Sequence, residues 1–316
     1  VGLAAVVLAL LATQITPAEL TRLAAEAVPG WLWAALGLYL LTQGARGWRL
    51  ASLTRGAAPV WRLSAVAGLQ NLLLALLPLR GGEVTFVALL SREATIGAAW
   101  ASKILVAVRV LDLLVVCVLL AAVVVWPSGL PEVARLALLP AAILGLLALG
   151  ILLWPGRLAQ LLRPPALWLA KHPRLSRLPF APRLQGFLDR LLQVQDTAWF
   201  RRQMPLLLAQ TVLVWLLVLA TNYACLQSLG LTVSPAAITY LTVLLVLSGI
   251  LPIHGWGGFG PQDAIGAGLL LTLGYERPTA IAAQLAWHAE LVLAATIAGL
   301  LGWALLRFIP RRSLSK

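Results

Sequence analysis

The sequence predicts an all-α polytopic membrane protein with about six full transmembrane spans plus two oppositely oriented re-entrant helical hairpins. Three observations carry this expectation. Hydrophobic residues make up 61% of the 316-residue chain, charged residues only 11%, and the mean hydropathy is +0.92. A soluble surface needs about a quarter of its residues charged. The apolar residues also fall in long runs, such as 104–125 and 206–220. Those runs lack the two-residue alternation of a membrane barrel. In lipid, a helix is then the structure that satisfies its own backbone.

A span needs roughly 20 apolar residues. Six segments qualify in order: 1–15, 30–52, 97–126, 137–154, 205–228 and 279–307. The first is short, and further residues are expected before Val1. Two other apolar stretches are interrupted. Pro78-Leu79-Arg80-Gly81-Gly82-Glu83 breaks 63–90, and the run from Pro252 to Pro261, with Gly255, Gly257, Gly258 and Gly260, breaks 236–273. Each therefore reads as helix, kink, helix.

Charge tests how these two behave. The chain carries 24 Lys and Arg against 11 Asp and Glu, a net charge of +13. In a soluble chain that would point to nucleic acid. Here the bases sit between apolar runs, so they report orientation and contact with anionic lipid heads, and no nucleic-acid partner is expected. Loop 46–62 holds four Arg and no acid, loop 155–204 eight Arg and one Lys against two Asp, and the tail three Arg and one Lys. The positive-inside rule puts all three in the cytoplasm, with both termini. Segments 16–29, 127–136 and 274–278 hold three Arg and four Glu and belong outside. The topology closes when 63–90 enters and leaves on the cytoplasmic face and 236–273 on the outer one. Two interfacial helices are expected as well. One begins at the capping box Thr16-Pro17-Ala18-Glu19. The other carries Leu184, Phe187, Leu188, Leu191 and Leu192 between snorkelling Arg183 and Arg190.

The chain reads as one integral membrane domain, 1–316, in two halves, about 30–126 and 205–307, joined through the basic loop 155–204. In each half an apolar helix ends at Leu-Pro, a Gly-Gly kink follows, then a short helix, a polar turn and a long span with ionisable groups. Opposed hairpins make this an inverted repeat. At 1.5 Å per residue, Arg109 and Asp112 lie roughly 18–22 Å into their span, His288 and Glu290 roughly 14–17 Å into theirs, and each first hairpin arm reaches roughly 23 Å. In a core about 30 Å thick these groups meet near the midplane.

Charges at that depth are costly unless paired or wetted. Arg109 and Asp112, one helical turn apart, are placed to pair. Arg80, Glu83, Asp263, His288 and Glu290 add more charge than packing requires. A polar, partly hydrated cavity is expected, with His254 and Gln262 at its second hairpin tip. Pro78, Gly81, Gly82, Pro252, Gly255, Gly257, Gly258 and Gly260 would shape the tip backbones, and the helix opening at Pro261 would turn its positive end toward a phosphate or carboxylate. Other patterns are discounted. Gly255-x-Gly257-x-x-Gly260 follows no strand, so it is no dinucleotide fingerprint. His288-x-Glu290 lacks the second histidine of a zinc protease. Three histidines and two cysteines show no metal spacing. Cys117 and Cys225 read as small hydrophobes. No catalytic residue, metal or cofactor is expected.

Leu77-Pro78-x-Arg80-Gly81-Gly82-Glu83, followed by Val108-Arg109-Val110-Leu111-Asp112, resembles the flippase-like family, the transmembrane region of lysylphosphatidylglycerol synthases. There the pattern runs Pro-x-Arg-x-Gly-Glu, then Glu-Arg-x-x-Asp. Trp48-Arg49 and the stretch from Pro252 to Asp263 look like two further landmarks. The resemblance covers most of the chain and carries Arg80, Glu83, Arg109, Asp112 and Asp263 onto family positions. It implies a bacterial inner-membrane protein that handles a polar-headed lipid. Val108 stands where the family has Glu, Gln262-Asp263 where Arg-Glu is common, and His254 and Trp256 are unusual in the glycine-rich loop. The family's soluble aminoacyl-transfer domain does not follow Pro310, so the chain is expected not to be an enzyme. A flippase of a phospholipid, aminoacyl-phospholipid or glycolipid is the leading expectation. Arg80 and Arg109 would face the head-group phosphate. Glu83, Asp112, Asp263 and Glu290 would accept from amines or hydroxyls or carry protons. The alternatives are a transporter of a small soluble solute and a non-transporting partner of a lipid-modifying membrane enzyme. The sequence is compatible with a homo-oligomer.

Overall fold

The computed structural model of the chain describes residues 21, 25–76, 81–125, 130–153, 164, 197–249 and 259–309. The first span, the capping box at Thr16, the interfacial helix around 184–192, Pro78, Arg80, and Pro252 through Gly258 with His254 lie outside the described residues. Within them the secondary structure is helical and contains no strand. Helix α1 is Pro29–Leu53, α2 Val60–Leu76, α3 Gly81–Glu93 and α4 Ala98–Val125. A 3-10 turn, Glu132–Ala137, runs into α5, Leu138–Leu153. Then come α6, Thr197–Ser228, α7, Pro235–Ser248, α8, Pro261–Thr272, and α9, Arg277–Phe308.

Proline begins four of these helices, at the first or second position of α1, α7, α8 and α9. It lacks an N–H that the first turn would leave unpaired anyway. Ser234 caps α7, its hydroxyl oxygen accepting from the Ala237 N–H at 3.1 Å. Among the described residues four segments are long and apolar enough to cross a membrane: Ala98–Val125, Ala134–Leu153, Trp199–Ser228 and Arg277–Phe308. At 25 residues α1 has comparable length, but Arg46 and Arg49 interrupt its apolar character. Helices α2 and α7, with 17 and 14 residues, rise about 26 and 21 Å, short of a core about 30 Å thick. On α5, Leu139, Ile143 and Leu146 are exposed, as a lipid-facing helix requires.

Helix α1 packs on α6 and α2, α2 on α9 and α3, α4 on α5 and α7, and α8 on α9. The α2–α9 contact is close because it is built from small residues. A Cβ at Gly302 would lie 2.5 Å from the Ala65 carbonyl oxygen, and one at Gly68 2.8 Å from that of Ala298. Any larger residue at either place drives the helices apart. Two apolar clusters flank this seam. One gathers Leu63, Phe86, Leu90 and Leu111 from the first half, the other Leu226, Leu241, Leu270 and Trp287 from the second. A third, with Val116, Trp215 and Val243, joins α4, α6 and α7.

One expectation about charge is corrected. Of the four arginines assigned to loop 46–62, Arg46 and Arg49 lie inside α1, and Arg62 is in α2, bonded to Glu93 at 2.7 Å. Arg55 alone stays in the turn, its guanidinium 4.5 Å from the Trp199 ring centroid. A basic residue near a span end was counted as loop, although helix α1 continues past it to bury it.

Candidate functional site

A cavity of about 360 Å³ opens between α1, α2, α6, α7, α8 and α9. Helix α1 contributes Tyr39, Thr42 and Arg46, and α6 contributes Thr221 and Asn222. Thr242 comes from α7, Gln262 from α8, and Gln284, Trp287 and His288 from α9. Leucine, valine and alanine side chains of α2, α6, α7 and α9 complete the wall, so polar groups interrupt a mainly apolar surface. That mixture is typical of a site for an organic ligand.

Beneath His288 lies Asp263, which is fully buried. Its Oδ1 is 2.6 Å from His288 Nδ1 and accepts from Gln284 Nε2 at 3.4 Å, while Oδ2 accepts from the Gly260 N–H at 2.8 Å. Gly260 has φ +119, a region that side chains rarely enter, and this turns the chain into α8. The expectation that the start of α8 offers its donors to a ligand is thus corrected in one respect. The Gly260 N–H is held by the protein's own carboxylate. Phe259 stacks on the other side of the imidazole at 4.1 Å between centroids, so His288 is fixed between an acid and a ring.

The predicted pairing of Arg109 with Asp112 is also corrected. Asp112 is held in a fork by Arg49 of α1, Nη1 to Oδ1 at 2.5 Å and Nη2 to Oδ2 at 3.4 Å. Trp215 Nε1 donates to Oδ1 at 3.3 Å, and Arg49 Nη1 also donates to Thr211 at 3.2 Å. This clamp ties α1, α4 and α6 together, and Arg49 is 3% exposed. Arg109, on the same helix as Asp112, instead reaches Glu83 of α3 at 3.3 Å, with side chains 47% and 30% exposed. A fork across helices meets both oxygens at once, which a neighbour three residues away on the same helix is poorly placed to do.

Of the predicted site residues, Gln262 and His288 line the cavity and Asp263 supports it from beneath. Glu83, Arg109, Asp112 and Glu290 do not line it. Glu290 accepts from Ser228 Oγ at 2.7 Å, elsewhere on α9. Gly81 and Gly82 open α3, and Gly260 precedes α8. Sequence reasoning passed over Arg46, Asn222 and Gln284. Arg46 had a usable signal, since it lies within the apolar run 30–52, one turn before Arg49. Among the described residues no three His, Cys, Asp or Glu side chains gather as metal ligands would.

A family model described as the lysylphosphatidylglycerol synthase TM region matches residues 1–312. The chain belongs to that family. The sequence motifs had pointed to the same lysylphosphatidylglycerol synthase transmembrane region. Together with its long apolar helices, membership makes the chain a multi-pass membrane protein with a role tied to membrane lipids. No curated protein and no solved structure matches the chain.

Proposed function

We propose that this chain is a flippase, a transporter that carries the polar head of a lipid across the bacterial inner membrane without chemically altering it. The observation that carries the reading is the cavity of about 360 Å³, where Arg46, His288 and neutral hydrogen-bonding groups stand in an otherwise apolar wall. Such a surface suits a molecule that is polar at one end and hydrocarbon at the other. Membership of a lipid-handling family supports it.

The route around the cavity is an inverted repeat in this reading. Helices α1 to α4 correspond to α6 to α9, and α2–α3 and α7–α8 are the re-entrant hairpins. The packing supports the correspondence. Helix α2 packs on α9 as α7 does on α4, α1 packs on α9 as α6 does on α4, and α1 and α6 pack on each other. Exchanging the halves therefore maps these contacts onto one another, as a two-fold axis would, although α6 packs on α9 more extensively than α1 does on α4. The shortness of α2 and α7 supports helices that enter the bilayer and turn back.

Purified protein in proteoliposomes tests the function. A head-group-labelled phospholipid placed in one leaflet should appear in the other faster than in protein-free vesicles. Uptake of water-soluble glycerophosphodiester with no lipid movement would instead establish a soluble-solute transporter. Neither movement would leave the role of partner to a membrane enzyme.

A further inference from the structure

Two arginines stand one turn apart on α1 and share one carboxylate, Asp112, which of the two is hydrogen-bonded to Arg49 alone. Arg49 is held in a fork by Asp112. Arg46 lines the cavity, and among the described residues it makes no hydrogen bond or ion pair. The acids of the chain explain why. Glu83 is with Arg109, Glu93 with Arg62, Asp112 with Arg49 and Asp263 with His288. Glu290 is bonded to Ser228. Glu132 and Glu276 lie at helix starts, and Glu19, Glu26, Asp189 and Asp196 belong to the stretches before α1 and between α5 and α6. The stretches that complete the two helix breaks, 77–80 and 250–258, contain no acid. Among the described residues no carboxylate is hydrogen-bonded to Arg46, and Asp112, which faces it, gives its bonds to Arg49 and Trp215.

The neighbouring polar groups cannot replace one. Asn222 donates to Thr242 and accepts from Trp287, Gln262 donates to the Leu245 carbonyl, and the Thr42 and Thr221 hydroxyls donate back to their own helices. The strongest donor facing the cavity is the guanidinium fork, which matches two oxygens of one anion. Arg46 and Arg49 share the one carboxylate of Asp112, which leaves one positive charge in excess. That balances a phosphodiester, which has one negative charge. A phosphomonoester, at about −1.5 to −2, would leave an excess. Leu74, Val218, Leu291 and Val292 give the same cavity an apolar side for the carbon chain next to the phosphate.

We infer that Arg46 is the oxyanion ligand of the cavity and takes the phosphodiester of a lipid head group. The inference rests on the transport reading and names the group recognised.

Full-length wild type, Arg46→Gln and Arg46→Lys are compared in proteoliposomes with three labelled lipids: phosphatidylglycerol, phosphatidylethanolamine and a diacyl glycolipid without phosphate. The wild type should move both phospholipids at least about tenfold faster than the glycolipid. Arg46→Gln should lose that preference, and Arg46→Lys, which keeps charge but not the fork, should fall between. Phospholipid micelles should raise the thermal midpoint of the wild type but not of Arg46→Gln, and inorganic phosphate or soluble glycerophosphodiester should not match them. An unchanged preference in Arg46→Gln overturns the assignment and leaves the transport reading standing. Equal protection by free phosphate overturns the lipid source. A wild type that moves no lipid, yet is stabilised by phospholipid only when Arg46 is present, overturns transport and keeps the site. Should Arg46→Gln not fold, Arg46→Lys decides by the same preference, and wild-type selectivity in that variant counts against the fork.

Discussion

Each half of the bundle buries an aspartate, and the two are held in different ways. Asp112 is clamped from other helices, by Arg49 of α1 and Trp215 of α6. Asp263 is held near at hand, by the N–H that begins its own helix and by His288 of the adjoining α9. The first arrangement fixes how long helices pack. The second fixes the orientation of one imidazole on the cavity wall. A buried carboxylate in a membrane protein is therefore not by itself a sign of transport chemistry; its partners decide which task it serves.

Replacing each acid tests the contrast. Asp112→Asn removes the charge but leaves Arg49 buried, and losing one partner of a buried pair costs about 3–5 kcal/mol. Its thermal midpoint in detergent should fall the furthest, with loss of folded yield. An Arg49→Met, Asp112→Leu double variant should recover much of that loss, since no orphaned charge remains. Asp263→Asn should cost less, about 1–3 kcal/mol, because it weakens the cap and the bonds to His288 and Gln284 without orphaning a buried guanidinium. Hydrogen exchange should show fraying confined to the start of α8. A midpoint as low as that of Asp112→Asn would erase the distinction.

The Glu83–Arg109 pair sharpens the comparison from the other side. Its side chains are 30% and 47% exposed, so water screens the pair and Arg109→Gln should cost no more than about 1 kcal/mol. Lipid movement by that variant should stay close to wild type, because Arg109 does not line the cavity. A large loss of stability would make this pair a second clamp. The smallest perturbation concerns topology. Single cysteines at Arg92 and Glu276 should leave stability unchanged and label from opposite faces of the membrane. Labelling from one face would remove the inverted relation between the halves.

The start of α8 was legible in sequence because proline acts locally: Pro261 opens it where the pattern put it. Membrane character was legible from the apolar runs. Partnership was not. Helical spacing offered Arg109 to Asp112, while the actual partner, Arg49, lies 63 residues away. Counting bases near span ends as loop hid Arg46, Arg49 and Arg62, since burial depends on what packs alongside and not on distance from a helix end. The midplane estimate placed several charges at similar depth but carried no lateral information. It therefore merged into one layer the Arg49 clamp, the Glu83 pair and the His288 wall, which the structure keeps apart.

The central claim is that the cavity between the halves is the path of a lipid head group. Thr242 lines it from α7, and its replacement by tryptophan would fill the space while leaving the Arg49–Asp112 clamp in place. Thr242→Trp should retain a near-wild-type thermal midpoint, because the added ring occupies an existing void. Its movement of labelled phospholipid in proteoliposomes should fall to the protein-free rate. Wild-type lipid movement by a folded Thr242→Trp protein would contradict the account and place the path elsewhere.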